Sequence, residues 1–76
     1  MRLTVARVAR VSKGFRTCRD VAQAIDVSAL RYAQWEGACV GRRLHSGELE
    51  RVSALLGMPI GQLADEQGRP VLAVAV

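Results

Sequence analysis

A chain of 76 residues, half of them apolar and 24% charged, suffices for one small domain that buries about 60% of its unfolded surface, and leaves no room for a second. No uncharged run approaches the roughly 20 residues of a membrane span, and the apolar content excludes a disordered chain. The net charge of +4 is unevenly placed, because Arg2, Arg7, Arg10, Lys13, Arg16 and Arg19 bring six cations before the first acid, Asp20.

Thr4 is placed to cap a first amphipathic helix over residues 4–13, in which Val5, Val8 and Val11 recur at three-residue spacing with Ala9 beside them. Arg7, Arg10 and Lys13 then point elsewhere, and Gly14 ends the helix. Thr17 is the N-cap of a second helix over residues 18–25 that turns Val21 and Ile25 inward. Asp26 breaks it, since aspartate tolerates a left-handed turn, and Ser28 caps a third helix carrying Leu30, Arg31, Tyr32, Gln34 and Trp35 as far as Gly37. Residues 37–46 form a long connection with the pair Arg42-Arg43. A fourth helix with Leu49, Val52, Leu55 and Leu56 on one face runs to Gly57, and Pro59 opens a short fifth helix that buries Ile60 and Leu63. After the break Gly68-Arg69-Pro70, the segment VLAVAV is short and rich in branched residues, so it reads as a strand with Leu72, Val74 and Val76 on its bulkier face. The expected fold is all-α, five helices with a short C-terminal β-strand. Residues 1–67 form the helical domain, and 68–76 form the strand or tail.

The positive pole near the N-terminus steers toward a polyanion, nucleic acid ahead of an acidic membrane surface, unless it is an ordinary solvated helix face. Arginines 7 and 10 interrupt any secretory leader, so a cytoplasmic location is expected. Cys18 and Cys39 are then reduced, and with His45 they fall short of the four closed ligands of a structural zinc site. Cys39, between Ala38 and Val40, reads as a small buried hydrophobe. No nucleophile and histidine motif, phosphate-binding glycine loop or paired acids occur, so neither an enzyme nor a cofactor, metal or small-molecule ligand is expected.

Residues 17–37, TCRDVAQAIDVSALRYAQWEG, resemble the helix-turn-helix of the phage Cro and repressor (Xre-like) family, and residues 44–63, ending LLGMPIGQL, resemble its closing helices. Ala22 is small where the two helices cross, Val27 plugs the turn, and Tyr32 and Trp35 anchor the second helix from behind. Asp26 stands where the family normally has glycine, and Cys18 where it has glutamine. The resemblance implies a duplex DNA-binding domain with its motif at about 17–37.

In a helix-turn-helix the second helix enters the major groove. The base-contact candidates are therefore Ala29, Leu30, Arg31 and Gln34, with Arg31 suited to guanine, Gln34 to adenine and Ala29 or Leu30 to a thymine methyl. Thr17, Arg19, Arg42 and Arg43 are the phosphate candidates, joined by Arg10 or Lys13. Tyr32 and Trp35 are assigned to the core rather than to base stacking, which favours duplex over single strands. The tail, Val71, Leu72, Ala73, Val74, Ala75 and Val76, is expected to pair with a twofold mate, giving a homodimer on a near-palindromic site, unless it folds back on its own core. The reading is a small transcription regulator, with a protein-interaction module (an antitoxin or phage-encoded inhibitor) or a DNA-bending excision factor as alternatives.

Overall fold

The structure, a computed structural model, describes residues 3–73. Its five helices are α1 (Val5–Ser12), α2 (Cys18–Ile25), α3 (Ala29–Glu36), α4 (Ser46–Leu56) and α5 (Ile60–Leu63). Three helix starts follow the same chemistry. Thr4 Oγ1 accepts from the Arg7 N–H, Thr17 Oγ1 from Asp20 and Ser28 Oγ from Arg31, each satisfying a backbone donor that the first turn leaves without a partner. α4 starts differently, with His45 Nδ1 accepting from the Glu48 N–H while the Glu48 carboxylate accepts from the His45 N–H. That reciprocal pair is a capping box with histidine in the place usually held by serine or threonine.

The core gathers Val21, Ala22 and Ile25 of α2, Tyr32 and Trp35 of α3, Leu49, Val52 and Leu56 of α4, and Leu63 of α5, with Leu44 from the loop. Each buried aliphatic side chain of this kind contributes about 1.5–3 kcal/mol of transfer free energy. Trp35 also donates its indole N–H to the Gly68 carbonyl at 2.9 Å, so the ring is both packed and tethered. Val27 packs half-buried against the core between α2 and α3.

The rotation of α1 differs from the expected one. Its buried residues are Ala6, Ala9 and Arg10, whereas Val8 and Val11 are 45% and 62% exposed. Two bonds to the end of α3 set this phase: Thr4 Oγ1 donates to the Glu36 carbonyl at 2.7 Å, and Arg10 Nε lies 3.0 Å from both Glu36 carboxylate oxygens. The small side chains of Ala6 and Ala9 face the core once Arg10 is drawn inward. Arg10 is accordingly no candidate for a phosphate, being 6% exposed and bound also to the Phe15 carbonyl.

The tail departs from the expected strand over the residues described. Among the described residues no strand forms, only isolated antiparallel bridges between Thr4 and Leu72 and between Ala64 and Pro70. Val71 accepts from the Val5 N–H and donates to the Leu63 carbonyl, and the Ala73 N–H reaches the Leu3 carbonyl. Val71 and Ala73 thus pair within their own chain. Val74, Ala75 and Val76 lie outside the described residues. Upstream, the Gly68 carbonyl accepts from Leu44 as well as from Trp35, so the start of the tail is part of the domain.

Candidate nucleic-acid interface

Residues 25–29 decide where α3 points. Asp26 adopts φ 59° and ψ 48°, a left-handed conformation that ends α2, and the Val27 N–H closes the turn on the Ala22 carbonyl at 3.0 Å. Arg51 of α4 then donates from Nε to the Ile25 carbonyl at 2.8 Å, satisfying one of the acceptors left open at the end of α2. Three residues therefore join two capped eight-residue helices. Tyr32, Trp35 and Glu36 face inward, while Leu30 and Ala33 face out.

Of the four expected base-contact residues, Leu30 is 68% exposed and Ala29 half-buried. Arg31 is committed elsewhere. Its two terminal nitrogens bind the two Glu48 carboxylate oxygens, Nη2 to Oε1 at 2.8 Å and Nη1 to Oε2, and Nη2 also reaches the Arg43 carbonyl at 3.1 Å. Gln34 is half-buried, and its side-chain oxygen is out of solvent without a hydrogen-bond partner among the described residues. The expectation that Arg31 and Gln34 stand free to grip base edges therefore meets side chains already turned to the protein.

Glu48 is 4% exposed. Burial alone would raise its carboxyl, but hydrogen bonds from Arg31 and the His45 backbone, together with the Arg31 charge, hold it below its ordinary value. The ion pair joins α3 to the beginning of α4, and the bond from Arg31 to the Arg43 carbonyl brings the Arg42-Arg43 loop against Arg31.

Thr17, Arg19, Arg42 and Arg43, the phosphate candidates, are all exposed, as are Lys13 and Arg16. Thr17 keeps its hydroxyl on its own helix as a cap. Cys39 is exposed rather than buried, because the loop after Gly37 turns outward through Ala38 at φ 58° and leaves Val40 fully in solvent.

Behind α3 lies a buried polar cluster that residue spacing did not reveal. Besides Arg10, Glu36 accepts from Cys18 Sγ at 3.5 Å. Burial, with the Glu36 charge adding to it, pushes the Cys18 thiol and the Tyr32 hydroxyl above their ordinary ranges, so both stay protonated at neutral pH. Arg10 is raised too: burial alone would lower it, but the hydrogen bond to Glu36 and the Glu36 charge, with smaller effects of Cys18 and Tyr32, together outweigh that cost. Among the described residues no group of three or more His, Cys, Asp or Glu side chains gathers as metal ligands would, and no helix is long and apolar enough to cross a membrane.

Comparison with protein-family models, with curated proteins and with solved structures finds no match to this chain.

Proposed function

We propose that this chain is a helix-turn-helix protein of the Cro and repressor type, binding duplex DNA through the outward side of α3 and regulating transcription by occupying its site. The observation that carries the reading is the three-residue turn that presents α3 with Leu30 and Ala33 outward, beside a loop bearing exposed Arg42 and Arg43. A short capped helix flanked by cations suits a major groove walled by phosphates. Exposed Arg16 and Arg19 add to the attraction.

A homodimer belongs to the proposal on grounds of length. Eight helical residues span about 12 Å, enough for a few base pairs, and a second copy about 34 Å along the duplex would double the sequence read. Val71 and Ala73 are hydrogen-bonded in their own chain while Leu72 between them stays exposed, and sedimentation with and without a duplex tests the dimer.

Binding measured by fluorescence anisotropy across a salt series tests the electrostatic part. Affinity should fall by orders of magnitude as salt rises, and Arg42→Ala or Arg43→Ala should each lower the logarithmic slope by about one. One observation favours the rival protein-interaction module: exposed Val8 borders a groove of about 350 Å³ between α1 and the end of α4, with Leu56 and Met58 in its wall. An affinity for a protein partner that is indifferent to salt, with none for duplex, would support that rival.

A further inference from the structure

Resting on the reading of α3 as the helix that meets DNA, we infer that its sequence preference comes from Leu30 touching thymine methyl groups, and that Glu48 sets this preference by withholding Arg31 from the bases. A guanidinium reads guanine by aiming two N–H groups at O6 and N7. Both terminal nitrogens of Arg31 are held by Glu48, and one of them also by the Arg43 carbonyl. Glu48 cannot follow Arg31 outward, since it is buried and its carboxylate also accepts from the His45 N–H at 3.1 Å as part of the α4 cap. Releasing Arg31 would strand a buried carboxylate, which costs more than one bidentate base contact returns.

Gln34, the second polar reader, is half-buried with its side-chain oxygen turned out of solvent, so in this conformation it does not present the acceptor of a two-bond pairing with adenine. What α3 offers outward is Leu30, with Ala33 one turn on and Ala29 half-buried beside it. The base-edge group that matches an apolar side chain in the major groove is the C5-methyl of thymine. The ligand class is a duplex whose half-site places thymines under Leu30 and Ala33.

The test is selection of sites from a random duplex library with the wild type, Leu30→Ala and Glu48→Gln, each first shown to be folded by circular dichroism. The wild type should enrich thymine at a fixed position. Replacing that thymine with deoxyuridine, which removes only the methyl, should weaken the wild type about fourfold, the change expected for one buried methyl-sized group, and leave Leu30→Ala unaffected. Glutamine preserves the capping box at position 48 while removing the charge that holds Arg31, so Glu48→Gln should gain a preference for guanine. A wild-type site built on guanine, with the preference lost in Arg31→Lys, would overturn the inference and leave DNA reading by α3 intact. No enrichment by any of the folded proteins would overturn the DNA-binding reading, and the inference with it.

Discussion

Two residues with positive φ are the sharpest tests of local structure. Asp26 sits at φ 59° where glycine would carry no Cβ penalty. Asp26→Gly should therefore stabilise the domain by up to about 1 kcal/mol in urea denaturation, the left-handed cost removed less the extra entropy of an unfolded glycine. Gly68 is the opposite case. At φ 80° a Cβ there would lie 2.3 Å from the Leu44 carbonyl oxygen, on the backbone that the Leu44 N–H ties to Gly68. Gly68→Ala should cost about 2–4 kcal/mol, read as a lower melting temperature, because neither backbone can move without breaking the bonds to Leu44 and Trp35. The turn at Asp26 was legible in the sequence, since aspartate before a serine cap is a local signal. The need for glycine at 68 was not, because what forbids a side chain there is Leu44, far away along the chain.

Among the elements, the helix starts at Thr4, Thr17 and Ser28 and the stop at Gly57 could be read directly, for capping depends on neighbours three or four residues away. The rotation of α1 could not. Val5, Val8 and Val11 repeat at three residues, and so do Ala6 and Ala9; what decides between the two faces is Glu36, 26 residues from Arg10. This buried pair should dominate the energetics of the α1 to α3 contact. Glu36→Gln leaves a buried guanidinium without its counter-charge and should cost about 3 kcal/mol or more, whereas Arg10→Met with Glu36→Leu should recover most of that loss in a denaturation cycle. The Arg31 and Glu48 pair was hidden for the same reason, its partners lying 17 residues apart on different helices. Its trace is a dependence on pH. With its folded carboxyl held below the ordinary value of 4.5, Glu48 contributes stability above that value, and the contribution is lost as pH falls through the lowered one. Glu48→Gln should flatten that part of the acid limb in urea titrations between neutral pH and the acid transition.

For the molecule as a whole, charge and helix count were legible from composition and periodicity, while the path of the tail was not. VLAVAV carries a strand's residues, but a strand needs a partner of matching length, and the described part of the tail, residues 71–73, meets a few residues before α1 and the end of α5. Val71 and Ala73 close onto Val5 and Leu3 through backbone hydrogen bonds, while Leu3 and Leu72 stay 53% and 43% exposed. α3 exposes Leu30 and Ala33, and the loop bonded to its Arg31 exposes Arg42 and Arg43; this is the side proposed to meet DNA. Amide chemical-shift mapping of the isotopically labelled chain titrated with a short duplex at physiological salt tests it most directly. Shifts should concentrate at Ala29, Leu30, Ala33 and Gln34, with Thr17, Arg42 and Arg43 around them, and change little along α1 and α5. Shifts confined to the groove of Val8, Leu56 and Met58, or no shifts at all, would contradict it.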